Sequence, residues 1–439
     1  MKLYSTNNTA LRVDFEEAIF NSLPADNGLY MPVAIAPLNN EFLNNLEHYS
    51  LQEIAFEVAN SLLSNAIPKN ALRQIIDEAI NFPAPVIQIA EKTFVLELFH
   101  GPSLAFKDFG ARFMSRVMRY FLREDDQMLD VLVATSGDTG GAVAAGFLGV
   151  ENTRVTILFP KGKVSEVQKL QLTTNGNNIH AIEIDGTFDD CQAMVKSAFL
   201  DPELNQRFRL TSANSINIAR LIPQTFYYFN AYAQLKRQGL NDIVFSVPSG
   251  NFGNIAAGLL AHKMGLPAKQ FLAATNINDT VPSFLRTGVY SPKPSVQTYS
   301  NAMDVGNPSN WVRVMELFKN EPDQLKQLVK AHSFTDEQTS AAMLEVFHQY
   351  KYIACPHTAI AWLAIGQWRK ENPDDQSAAV FLSTAHACKF PDVLPKEVLE
   401  NLELPEEVKN LGNKVSKFES LDKDFEGFKS FLLDEYKSL

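Results

Sequence analysis

Lys107 stands in "HGPSLAFKDFG" (residues 100–110), behind Leu-Ala-Phe and ahead of Asp-Phe-Gly. Lysine is rarely buried unless it is paired or chemically employed. Apolar company disfavours the ammonium form and lowers the amine's pKa. A neutral amine is the form that condenses with a carbonyl. The flanks alone equally allow a packed or snorkelling lysine, so the reading turns on what else in the chain could meet it.

Three strand-to-turn junctions carry chemistry-bearing residues. "ATSGDTGGAV" (residues 134–143) brings Thr135, Ser136, Gly137 and Thr139 to a helix start. Hydroxyls and open backbone amides there suit an anion, although Ser136 or Asp138 acting as a helix cap explains the turn as well. "SVPSGNFGNIAAG" (residues 246–258) is again strand, turn, helix, with Ser249, Gly250, Asn251, Gly253 and Asn254 small enough to let backbone wrap a phosphate. It has neither the Gly-Lys-Ser/Thr of a P-loop nor the GxGxxG of a dinucleotide fold. The third, "FLSTAHACKFPD" (residues 381–392), offers Ser383 and Thr384 for a hydrogen bond to a ligand. His386 and Cys388 nearby, and His357 in "ACPHTAIAW", lack the further ligands a metal needs; ordinary packing is expected and no metal. A lysine in apolar surroundings together with a phosphate cradle that is not a nucleotide motif is the combination pyridoxal 5′-phosphate requires. Its aldehyde takes the lysine and its phosphate takes the turn.

Such residues need a scaffold, and the chain alternates accordingly. Short β-branched runs at residues 94–99, 131–135, 155–159, 179–184, 242–247, 271–275 and 378–383 are separated by helical stretches. Continuous apolar strands between helices indicate parallel sheets covered on both faces. The expected class is therefore α/β, preceded by a mainly helical region over residues 1–93 in which little reads as strand. In open α/β sheets ligands lie beyond the carboxyl ends of the strands, where the three junctions fall. The Pro- and Asn-rich stretch 275–310 is long enough to be a wall or lid of such a site, or a loose excursion.

Composition narrows the class further. The 439 residues, 46% hydrophobic and 20% charged, describe a globular chain of two or three domains. Thirty-nine basic against 50 acidic residues give −11, with no basic run, so a nucleic-acid partner is not expected. Cys191, Cys355 and Cys388 are too few and too scattered for a disulfide framework. The first twenty residues hold acidic side chains and no apolar core of a leader, and no apolar run is long enough to span a bilayer. A cytoplasmic location and no membrane partner are expected.

"HGPSLAFKDFGARF", "TSGDTGGAV", "PSGNFGN" and "STAHACKFPD", in this order, resemble the threonine synthases of the bacterial and fungal long-chain branch. These are fold type II, tryptophan-synthase-β-like pyridoxal-phosphate enzymes. The opening "YST…VDFEEAIFNSLPADNGLYMP" is similar to that branch too, so the likeness spans nearly the whole chain. One departure is "STNN", where the family usually has arginine after Ser-Thr; no catalytic meaning attaches to it. The resemblance implies two parallel-sheet α/β domains plus the N-terminal extension, divided as residues 94–125 with 235–439, and 126–234. It implies Lys107 as the Schiff-base lysine and Ser249, Gly250, Asn251, Phe252, Gly253 and Asn254 as the cofactor-phosphate loop. Asp138 would stand near the cofactor ring, where relatives carry asparagine, and Thr384 beside the pyridine nitrogen. A hydroxyl there holds a proton less firmly than a carboxylate, making the ring a weaker electron sink.

The implied substrate is O-phospho-L-homoserine, converted with water to L-threonine and phosphate, and the resemblance implies a monomer without the allosteric extension of the plant enzymes. Thr135, Ser136, Gly137 and Thr139 would hold the α-carboxylate. For the substrate phosphate the candidates are Lys163, Asn217 and Arg220, although solvated lysines and a helix-face arginine are the plainer explanation of those side chains. Lys107 is the natural base for the first proton transfers; no dedicated base for water addition is evident, which leaves the departing phosphate as a candidate. Two rivals remain: a serine/threonine dehydratase of the same fold, needing no second phosphate site, and a non-enzymatic phosphometabolite binder, in which Lys107 is dispensable.

Overall fold

The seven β-branched runs all become strands, and seven further strands complete the sheets among the described residues. The computed structural model describes residues 1–123 and 126–435. A three-stranded antiparallel sheet, in the order β2-β1-β3, is built from β1 (Lys2–Ser5), β2 (Arg12–Asp14) and β3 (Tyr30–Pro32). A larger sheet, β12-β11-β10-β13-β5-β4, comprises β4 (Val86–Ala90), β5 (Thr93–Glu97), β10 (Ile243–Pro248), β11 (Ala268–Thr275), β12 (Val329–Ser333) and β13 (Ala378–Ser383). It is parallel except where β4 pairs antiparallel with β5. The third sheet, β14-β8-β7-β6-β9, is wholly parallel and comprises β6 (Leu129–Ala134), β7 (Thr153–Pro160), β8 (Ile179–Asp185), β9 (Arg209–Ser212) and β14 (Glu419–Asp422). Every residue of β6, β7, β10 and β13 is buried, as strands sandwiched between helix layers must be.

The expected organisation needs three revisions. Residues 1–93 are not only helical: β1, β2 and β3, with three or four residues each, are too short to display an alternating pattern. The stretch 235–439 does not stay with the larger sheet, because β14 pairs with β8 and Phe428 and Leu432 of the helix Phe425–Glu435 join the core of Met194 and Val195. An edge strand that is almost entirely exposed, "ESLD", carries no apolar signature. Nor does 126–234 hold together as one block: the helix Gln224–Lys236 packs against the helices Leu51–Leu63 and Gly253–Lys263 and touches β4 of the larger sheet.

Helix starts are fixed by local chemistry. Ser50 with Glu53, Ser165 with Gln168, Thr187 with Asp190 and Thr335 with Gln338 form reciprocal capping boxes. Pro223 separates the short helix Ile218–Leu221 from Gln224–Lys236. No helix among the described residues is long and apolar enough to cross a membrane.

Candidate active site

β6, β10 and β13 end at Ala134, Pro248 and Ser383, and a cavity opens beyond these three ends. Its lining joins residues from the turns after all three strands. Lys107, Ser136, Asp138, Thr139, Arg220, Gly250, Asn251 and Thr384 are among its lining residues.

Lys107 is the first residue of the helix Lys107–Phe121. Its approach is fixed by the end of β13: Phe106 N–H donates to the Thr384 carbonyl (2.8 Å), His386 N–H donates to the Leu104 carbonyl (3.0 Å), and Ala105 bridges Ala385. Lys107 and Thr384 are thereby held on one wall. Burial pushes the Lys107 amine down to about 8; Asp138 opposes that, and Arg220 and Lys389 add to it. An amine in this range has a substantial neutral fraction near neutral pH, as nucleophilic and basic roles demand.

The turn after β10 forms the second wall. Phe252 is left-handed (φ 60°) directly ahead of the helix Gly253–Lys263, so successive backbone N–H groups face one side, at a helix N-terminus. Gly250 passes so close to the 301–303 segment that a Cβ there would lie 2.7 Å from Met303 Cα and 2.8 Å from the Ala302 carbonyl oxygen. The Asn254 carboxamide oxygen accepts from both the Tyr227 and Tyr228 hydroxyls (2.7 Å each), while its Nδ2 is buried without a partner. Arg220, 3% exposed, donates to the Ala213 carbonyl and leaves its Nε equally unpartnered. Buried donors lacking acceptors are costly; both residues line the cavity, although Arg220 Nε itself lies against Gly110, 2.7 Å from where a Cβ there would stand. Asn251 is turned the other way, its Oδ1 accepting from Ser309, and the Ser249 hydroxyl points back to the Val247 carbonyl (2.8 Å). The Ser249 N–H is likewise engaged, donating to the Ala274 carbonyl (2.8 Å), and Ser249 is not among the residues lining the cavity.

The turn after β6 brings Ser136 and Thr139 to the cavity. The Thr135 hydroxyl is already used, accepting from Gly137 N–H (2.9 Å) and Gly140 N–H (2.8 Å). Gly137 adopts φ 128°, and a Cβ would lie 2.4 Å from the Gln168 side chain, so no other residue fits. That close approach lets Gln168 Nε2 donate to Asp138 Oδ1 (2.9 Å). The same oxygen takes an ion pair from Lys389 Nζ at 3.0 Å, and Lys389 is 0% exposed. Burial would raise the Asp138 carboxyl, but Lys389, then Lys107, hold it well below the usual range, an ionised group.

Two expected substrate residues are elsewhere. Lys163 is exposed on the turn after β7 and does not line the cavity. Asn217 is fully buried as a structural tie, donating to the Ile19 carbonyl (2.8 Å) and Ser22 Oγ (2.9 Å) and capping the helix Ile218–Leu221. Its neighbours Asn214 and Ser215 line the cavity instead. His357, expected only to pack, and Asn301 to Val305 line the cavity, and Lys389, which the sequence reading passed over, stands behind it, paired with Asp138. Lys389 lay in plain view in "HACKFPD", where a lysine between Cys and Phe carries the same signal as Lys107. The 275–310 stretch is in part a wall: Asp304 accepts from Thr298 N–H and Oγ1 and from Asn276, fixing the 301–305 segment. His357 is the second residue of the helix Pro356–Glu371, and burial lowers its imidazole to about 4, so it is neutral. No group of three or more His, Cys, Asp or Glu among the described residues could hold a metal.

Comparison with known proteins decides between these possibilities. Family models match in succession as threonine synthase N terminus (residues 2–80), pyridoxal-phosphate dependent enzyme (82–384) and threonine synthase, C-terminal (358–432). The chain belongs to the threonine synthase family. It is 43% identical to the threonine synthase of Serratia marcescens over 92% of both chains. The crystal structure of the Escherichia coli threonine synthase superposes with a TM-score of 0.91 at 41% identity, covering 99% of this chain and 100% of that one. A pyridoxal-phosphate-bound threonine synthase from Brucella melitensis gives 0.90 at 34% identity, covering 99% and 98%. The unpartnered Asn254 amide, the open amides of the 250–254 turn and the lowered amine of Lys107 fit the cofactor that threonine synthases use.

Proposed function

We propose that this enzyme converts O-phospho-L-homoserine and water to L-threonine and phosphate, with pyridoxal phosphate held by Lys107, the 250–254 turn and Thr384. The observation that carries this reading is the meeting, in one cavity, of a lysine amine lowered to about 8 and an amide-lined turn with an unpartnered Asn254 amide. Bound there, pyridoxal phosphate supplies an aldehyde for an amine and a ring that draws electrons from the carbon bearing that amine.

The chain's own residues do the rest. Lys107, once freed by the incoming amino group, takes the Cα proton and then a Cβ proton from its tethered position. Ser136, Thr139 and the amides at the start of the helix Asp138–Phe147 hold the α-carboxylate. Arg220 and Asn214, on the opposite wall, hold the leaving phosphate, whose departure needs a cation close by. The wall 301–305 limits water to the space next to Cβ. Thr384 lines the cavity and would offer the cofactor ring a hydroxyl rather than a carboxylate, so electron withdrawal there would be moderate. The released phosphate, still held by Arg220, is the group placed to activate water. The enzyme acts as a cytoplasmic monomer.

Incubating purified protein with O-phospho-L-homoserine tests this: equimolar phosphate and threonine are expected. Phosphate without threonine, or keto acid formed from serine or threonine at a higher kcat/KM, would assign the site to a dehydratase instead.

A further inference from the structure

We propose that Lys389 is a positioning residue: through its ion pair with Asp138 it sets the pH at which the Lys107 amine is free to react. The inference rests on the reading that Lys107 carries the cofactor.

Lys389 is a fully buried cation anchored on three sides. Its Nζ lies 3.0 Å from Asp138 Oδ1 and donates to the Ser103 carbonyl at 2.7 Å. Its own carbonyl accepts from Ser165 Oγ at 2.7 Å. Ser165 caps the helix Glu166–Thr173, and Gln168 of that helix holds the same Asp138 oxygen. Lys389 therefore joins four pieces of chain: the turn after β13, the segment leading to Lys107, the start of the helix Asp138–Phe147, and the capping box after β7. A lysine that only filled volume would need none of these partners, and an apolar side chain would fill the same space without a desolvation cost.

The charges facing Lys107 come from every element around it. Asp138 stands on the β6 side, Lys389 on the turn after β13, and Arg220 on the helix Ile218–Leu221; His357, on the helix Pro356–Glu371, is neutral. Asp138 alone would stabilise the Lys107 ammonium and keep the amine protonated and inert. Lys389 offsets part of that negative charge, so Asp138 stays ionised and oriented while its hold on the Lys107 proton is weakened. Burial remains the largest influence on the amine, Asp138 opposes it, and Arg220 and Lys389 both act with burial to release it.

Full-length protein stripped of cofactor and mixed with pyridoxal phosphate tests this. The rate at which the visible cofactor band grows is followed across a pH series, and its midpoint reports the free amine. Lys389→Met is expected to raise the midpoint by about one pH unit, because Asp138 and Lys107 become each other's partner, and Asp138→Asn to lower it by about as much. Lys389→Arg, which keeps the charge, stays near the wild-type midpoint. Opposite shifts are not produced by a merely structural role, which would change amplitude and melting temperature alone. A Lys389→Met midpoint that stays in place or falls overturns the proposal. Where Lys389→Met cannot be purified, an Asp138→Asn midpoint that does not fall does the same. Lys107→Ala measured alongside examines the underlying reading separately: a stable band there removes Lys107 as the reacting amine whatever Lys389 does.

Discussion

Arg220 brings a guanidinium into the cavity wall with Asp108 as the one charge opposing its loss of solvation, and burial lowers it to about 10. A charge-assisted hydrogen bond to phosphate is worth about 2 kcal/mol, so Arg220→Ala should raise KM for O-phospho-L-homoserine roughly thirtyfold. The cofactor's absorbance should be unchanged; steady-state kinetics with a spectrum of each preparation check both. An unchanged KM removes Arg220 from the substrate site. Lys163→Ala should leave KM as it is, since that side chain is exposed and off the cavity. Residue type made Lys107 and the 249–254 turn legible in the sequence, because an amine among apolar neighbours and a run of small residues after a strand are local features. What a side chain does with its second hydrogen bond is not local. Ser249 and Asn251 turn away to Val247 and Ser309, Asn217 is spent on Ile19 and Ser22, and Lys389 finds Asp138 from 251 residues along the chain, the difference of 389 and 138.

The strand ends that carry the site were legible because buried parallel strands need continuous apolar runs. Elements whose partners supply their stability were not, as β1, β2, β3 and β14 illustrate. The contact between the 250–254 turn and the 301–305 wall belongs to this scale. A methyl group at Gly250 would meet backbone of Met303 and Ala302 rather than a flexible side-chain tip, so one of the two segments must move. Overpacking of that kind costs about 1–3 kcal/mol. Gly250→Ala is therefore expected to weaken pyridoxal-phosphate binding about tenfold or more, measured by titrating the visible band, with a smaller loss in melting temperature. Binding equal to wild type would show that the wall does not brace the turn.

Across the whole molecule, the chain returns at its end to the five-stranded sheet. β14 covers the edge of β8, and Phe428 and Leu432 are fully buried against it. Each such side chain contributes about 2–3 kcal/mol, and an uncovered edge invites pairing with another chain. A chain ending after Lys417 should melt several degrees lower and aggregate on heating; an unaltered melting curve would make that return incidental. Acid should also act globally. Burial lowers His357 and His386 from 6.5 to about 4 each, so between those values the unfolded chain binds protons that the folded one refuses. Stability is then full above about pH 6.5 and falls as pH drops towards 4, by on the order of a few kcal/mol for the pair. Melting temperature against pH reads this directly, and His386→Asn should flatten the slope; a flat wild-type curve contradicts it.

Chemical capture of the cofactor tests the central assignment most directly. Borohydride reduction of the intact holoenzyme, followed by proteolysis and mass spectrometry of every lysine-containing peptide, should place the pyridoxyl group on Lys107 alone. A pyridoxyl group on Lys389, the fully buried lysine paired with Asp138, or on no lysine at all, would contradict the account.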